Sequence, residues 1–145
     1  MRIHIIYTVE MQNSPDVNLV GIYRNIDSEQ AQKDLQNAIS EDYDDETGDW
    51  RKTYIESAEI PDTATGPVHV AIVTKWIESV FSEVVAADPD PAVVTRALLE
   101  AFADAKKDLH HIEYEDVDQQ TGAFHIADDT IMEDDYGFHF EAAVL

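Results

Sequence analysis

The sequence predicts an α+β protein: antiparallel sheet carrying two helices. Three observations lead there. Runs of β-branched and aromatic residues, bounded by turn clusters, recur along the chain; two stretches alone place apolar residues at helical spacing; and the order of these elements begins β-β-α-β. The chain has 145 residues, is 44% hydrophobic and contains 2 Trp, 6 Tyr and 5 Phe. That is the composition of a folded domain, not of an acidic disordered tail.

Residues 2–9 are apolar and β-branched and read as a strand. The cluster Gln12-Asn13-Ser14-Pro15-Asp16 turns the chain into a second strand, Val17 to Tyr23. Asp27 or Ser28 then caps a helix over 28–40, with Ala31, Leu35, Ala38 and Ile39 as its apolar stripe. An acidic loop, Glu41 to Asp49, leads to a strand over 50–58. Pro61 to Pro67 has linker composition. Beyond it the order repeats: a strand over 68–75, a strand over 77–86, and a helix over 91–107. Asp90 caps that helix, Pro91 sits in its first turn, and Val94, Ala97, Leu98, Ala101, Phe102 and Ala105 form its stripe. A hairpin (110–117 and 123–127) and a last strand (137–145) follow. The expected organisation is therefore a β-β-α-β lobe over 1–60, a linker over 61–67, and a β-β-α-β-β-β lobe with an acidic hairpin over 68–145.

Two local strings match: Tyr43-Asp44-Asp45-Glu46-Thr47-Gly48-Asp49-Trp50 and Val117-Asp118-Gln119-Gln120-Thr121-Gly122-Ala123-Phe124. Asp-x-x-Thr-Gly-x-aromatic makes a good turn, because Asp bonds backbone two residues on and Gly accepts positive φ. The match has two readings: separate hairpins using the same turn chemistry, or one unit duplicated.

The C-terminal half, with two long strands, a helix opening after Asp88-Pro89-Asp90-Pro91, and a closing strand near Asp134-Asp135-Tyr136-Gly137-Phe138, resembles the small DpnD/PcfM-type modules of phages and plasmids. The N-terminal half, with Leu19-Val20-Gly21-Ile22-Tyr23 running toward a helix, is similar to other short accessory modules of mobile elements. The resemblance implies a mobile-element origin and no catalytic role.

Composition excludes much chemistry. The chain has no Cys, which removes disulfides, thiol nucleophiles and Cys-ligated zinc. Only 5 Gly are present and none form a phosphate-binding loop; no Ser lies in a G-x-S-x-G elbow. An EF-hand started at Asp42 puts Thr47 and Thr53 where Gly and Glu are required. One started at Asp116 puts Thr121 and Ala127 there. His110, His125 and His139 fall in neighbouring predicted strands without local metal-ligand spacing. Paired carboxylates are too plentiful to mark an acid/base site. The expectation is a non-enzyme without cofactor or metal. No segment approaches the roughly 18 apolar residues that span a bilayer, and the N-terminus lacks signal-peptide features, so a cytoplasmic location is expected, that of the host if phage-encoded.

What the chain offers instead is charge: 31 Asp and Glu against 9 Lys and Arg, a formal net of −22. Residues 1–66 hold 14 acids and 5 bases, and residues 67–145 hold 17 and 4, so the charge belongs to both halves. Such a surface repels nucleic acid and anionic membranes and attracts a basic groove. Short, strongly acidic, cysteine-free chains without catalytic motifs are similar to DNA-mimicking inhibitors of restriction and CRISPR enzymes. The implied partner is a basic nucleic-acid-binding protein, a nuclease or CRISPR effector. The candidate contact residues are Glu41, Asp42, Asp44, Asp45, Glu46 and Asp49; Glu113, Glu115, Asp116 and Asp118; and Asp128, Asp129, Glu133, Asp134 and Asp135. Tyr43, Trp50, Tyr114 and Tyr136 are aromatic anchors among them. Two alternatives stand beside this reading. One is an acidic structural or accessory protein. The other is a halophile protein, favoured by 18 Asp over 13 Glu and only 5 Lys. Sheet edges expected at 17–23 and 137–145 would allow a homodimer.

Overall fold

The computed structural model describes residues 1–11, 15–44, 50–77, 79–108, 112–117, 124–128 and 134–145. The protein is α+β, with two helices and two sheets, and divides into two compact units. One comprises Met1–Val68 with Ala142–Leu145; the other comprises His69–Glu141.

In the first unit β1 (Arg2–Met11), β2 (Pro15–Tyr23), α1 (Glu29–Ser40), β3 (Tyr43–Asp44) and β4 (Trp50–Glu59) follow in order. Their sheet runs β2-β1-β4-β3, every pair antiparallel. β1 is central because it is the most apolar strand: Ile3, Ile5, Ile6, Tyr7 and Val9 have no exposed surface. The acidic loop expected after α1 thus begins as a short strand, with Tyr43 opposite Arg51 and Asp44 opposite Trp50.

α1 starts at Ser28, whose Oγ accepts a hydrogen bond from the Ala31 N–H at 3.2 Å. Asp27 is not the cap. Replacing Ser28 with Ala is expected to cost about 1 kcal/mol, read as a lower thermal midpoint. Ala31, Leu35 and Ala38 bury, as their spacing requires, but Ile39 is 46% exposed. One step past Ala38 turns the helix by about 100°, carrying Ile39 off the stripe that the other three define.

The second sheet comprises β5 (Pro67–Ile77), β6 (Ser79–Asp88), β7 (Ile112–Val117), β8 (Phe124–Asp128) and β9 (Asp134–Val144), in the order β6-β5-β9-β8-β7. The last strand, expected at an edge, lies in the middle, between β5 and β8. Its apolar content explains the position: Phe138 is fully buried, in one cluster with Ala71, Val94, Leu98 and Ala105. α2 (Pro91–Asp108) supplies Val94, Leu98 and Ala105 to that cluster, with Ala101 and Phe102 packed at its margin. Burying such a Leu contributes about 1.5–3 kcal/mol. Asp90 Oδ1 accepts the Ala92 N–H at 2.9 Å, closing the first turn of α2 as expected.

The two leading hairpins share a detail the sequence did not advertise. Ile6 pairs with Gly21 and Tyr7 with Leu19, leaving Val20 as an extra residue in β2. Ala71 pairs with Ala86 and Ile72 with Val84, leaving Val85 as an extra residue in β6. The same interval separates Ile6 from Ala71 and Val20 from Val85. The buried positions Ala31 and Leu35 on α1 repeat the spacing of Val94 and Leu98 on α2. This agreement favours one β-β-α-β-β plan used twice, with β9 admitted to the middle of the second sheet.

Candidate functional site

The acids at the end of α1 are organised by one cation. A helix C-terminus carries partial negative charge, so Glu41 and Asp42 stand where carboxylates are least favoured. Arg51 reaches back from β4 to resolve this. Its Nη1 donates to the Ala38 carbonyl at 2.7 Å and to Asp42 Oδ1 at 2.8 Å, and its Nη2 lies 3.7 Å from Glu41 Oε2. Asp42 also accepts the Thr53 N–H at 2.9 Å and the Thr53 hydroxyl at 2.7 Å. The Asp42 carboxylate is therefore engaged within the unit, its side chain 26% exposed, while that of Glu41 is 74% exposed. Tyr43 is exposed and donates its hydroxyl to Glu10 Oε1 at 2.9 Å, adding a third carboxylate to this surface. Trp50 is half-buried at the start of β4. Asp44 is in β3 across from Trp50. Asp45, Glu46 and Asp49 lie outside the described residues.

In the second unit the register gathers acids at one end of three strands. Asp128 ends β8 opposite both Ile112 of β7 and Asp134 of β9, and Asp135 stands opposite Ala127. Glu113 follows Ile112 on β7, so Glu113, Asp128, Asp134 and Asp135 share that end of the sheet. Farther along β7, Tyr114 pairs with Ala127, Glu115 with Ile126 and Asp116 with His125, and on β9 Tyr136 pairs with Ile126. Asp118, Asp129 and Glu133 lie outside the described residues.

Sequence reading missed a row of polar aromatics. The buried Tyr7 donates its hydroxyl to Glu56 Oε2 at 2.5 Å and stacks on Tyr54, with ring centroids 5.4 Å apart. Lys52 Nζ sits 5.5 Å above the Tyr54 ring. Burial pushes the Tyr54 phenol above its ordinary pKa, and the charges of Glu56 and Asp42 add to the effect. Tyr23 rises further, from burial and from its hydrogen bond to Asp34 Oδ2 at 2.7 Å. Period-2 alternation of Trp50, Lys52, Tyr54 and Glu56 was the available signal for a shared face.

Of the three histidines weighed for metal, His110 lies outside the described residues. His125 of β8 pairs with Gly137, and His139 of β9 places Nε2 3.2 Å from the buried Thr74 Oγ1. Among the described residues no group of three or more His, Asp or Glu side chains is placed to hold a metal ion, and no helix is long and apolar enough to cross a membrane. Compared with family models, curated proteins and solved structures, the chain matches none.

Proposed function

We propose that this chain is a non-enzymatic inhibitor, encoded by a phage or mobile element, of a basic nucleic-acid-binding defence protein of the CRISPR or restriction type. It acts in the host cytoplasm by presenting carboxylates where the target expects phosphates. The observation that carries this reading is a net charge of −22 on 8291 Å² of accessible surface, shared by both halves of the chain. Regular backbone carries many of the candidate acids: Asp44 on β3, Glu113, Glu115 and Asp116 on β7, Asp128 on β8, Asp134 and Asp135 on β9. Carboxylates accept the same bidentate Arg forks as phosphates. A cationic groove gains steering from either polyanion.

The experiment is competition. The purified protein is offered to guide-loaded CRISPR nucleases and to restriction enzymes in the presence of labelled DNA. Binding at about 50 mM salt that displaces DNA and weakens more than about tenfold by 500 mM is the expected result. Binding that ignores both salt and DNA, or no binding to any such protein, overturns the proposal. The halophile alternative separates in the same buffers, because its fold would be lost at low salt.

A further inference from the structure

On the face of the first sheet that meets α1, one apolar side chain stands uncovered beside the core. Ile6 of β1 and Ile55 of β4 are directly paired and so share a face; Ile6 has no exposed surface, whereas Ile55 is 47% exposed. Arg51 and Thr53 lie on the same face by the two-residue period of β4, and their bonds to Ala38 and Asp42 identify it as the side toward α1. The helix leans toward β2, where Asp34 accepts the Tyr23 hydroxyl. Asp34 precedes Leu35 by one step and Ile39 follows Ala38 by one step, about 100° each, so the two flank the buried stripe on opposite sides. The exposed Ile39 therefore borders β4, the strand on which Ile55 is uncovered. Carboxylates surround this apolar strip. Glu41 projects into solvent at the helix end, Glu10 pairs with Arg51 and accepts the Tyr43 hydroxyl, and the exposed Glu59 lies four residues beyond Ile55 on the same face. Arg51, the cation among them, is already bound to Ala38 and Asp42.

We infer that the strip between α1 and β4 is a docking surface for arginine side chains of a basic protein partner. Arginine combines an aliphatic stem with a planar cationic end. The stem covers Ile39 and Ile55 while the guanidinium reaches Glu41 or Glu10. Lysine carries its charge as a compact, strongly hydrated point and gains less from the same strip. An apolar centre inside a polar rim is where interface energy concentrates. This inference deepens the inhibitor reading and rests on it for the basic character of the partner; it adds that apolar contact selects arginine, which charge alone does not do. A second exposed apolar pair, Val93 and Leu99 of α2, lacks these surroundings: Arg96 lies between them, and Lys106 and Lys107 follow in the last turn. That pair is the control.

The full chain is titrated calorimetrically with nona-arginine and with nona-lysine at about 150 mM salt, where charges are screened beyond ~8 Å. Nona-arginine is expected to bind more tightly than nona-lysine. Ile39→Gln combined with Ile55→Thr keeps the net charge and is expected to weaken nona-arginine at least about fivefold, while Val93→Thr combined with Leu99→Gln leaves it within about twofold. A loss below fivefold from the first pair, a loss matched by the control pair, or equal binding of the two peptides overturns the inference. Circular dichroism establishes that each variant is folded. Should the first pair unfold, the methyl resonances of Ile39 and Ile55 in the natural chain decide: nona-arginine must shift both, and failure to do so overturns the inference. The peptide readout needs no nuclease. If no nuclease binds the chain, the inhibitor reading fails while a positive peptide result stands. If nucleases bind but the isoleucine pair is inert, diffuse charge suffices and this inference alone fails.

Discussion

Replacing Phe138 with Ala is expected to lower stability by about 3–5 kcal/mol, the range for emptying a large aromatic site in a packed core. Phe138 has no exposed surface and meets the Phe102 ring edge-on, with centroids 5.2 Å apart. Its neighbours Ala71, Val94, Leu98 and Ala105 come from a strand and a helix, so the space left has rigid walls and collapses little. Urea unfolding should show a lower midpoint with an unchanged slope. A loss below about 1 kcal/mol would mean that the site refills easily and that Phe138 does not hold α2 to its sheet.

Arg51→Ala is the second large effect, at about 3 kcal/mol. The Arg51 side chain is 12% exposed, and its removal leaves the half-buried Asp42 carboxylate without its cation and the Ala38 carbonyl without that donor. Arg51→Lys keeps the charge but not the fork that reaches the helix end and Asp42 together, so it should recover only part of the loss. Urea melts of both variants check this. Equal stabilities of Arg51→Ala and the natural chain would show that the pairing contributes nothing beyond solvation.

Apart from the short β3, which the sequence offers as acidic loop, element types were legible because each rests on local pattern. Val68 to Val73 could only be a strand, and Asp90-Pro91 could only open a helix. Neighbour relations were not legible. Nothing in residues 137–145 distinguishes a middle strand from an edge, since both positions accept β-branched and aromatic residues. Ile39 misled for a narrower reason: apolar character was read where angular position decided. The extra residues Val20 and Val85 lie within ordinary apolar strings, and a bulge appears only once a strand has its partner.

The candidate site was read from density of charge, and density does not separate acids that face outward from acids engaged inside. Asp42 and Glu41 are adjacent and chemically alike, yet Asp42 is held by Arg51 and Thr53 while Glu41 projects into solvent. Arg51 itself was a usable signal, the first cation after the acidic stretch Glu41 to Asp49. Read as a counter-ion for the helix end, it locates its pair with Asp42.

The placement of β9 between β5 and β8 leads to an expected order of events during folding. β5 with β6, and β7 with β8, are hairpins whose partners lie close along the chain and whose loops close quickly. β9 alone joins these pairs, and its partner β5 was made more than half the unit earlier. Until β9 arrives, two ribbons exist with no shared ladder, and Phe138 has not reached α2. Insertion of this keystone strand is the step of highest contact order in the second sheet, so it is the step expected to limit the refolding rate in a stopped-flow measurement.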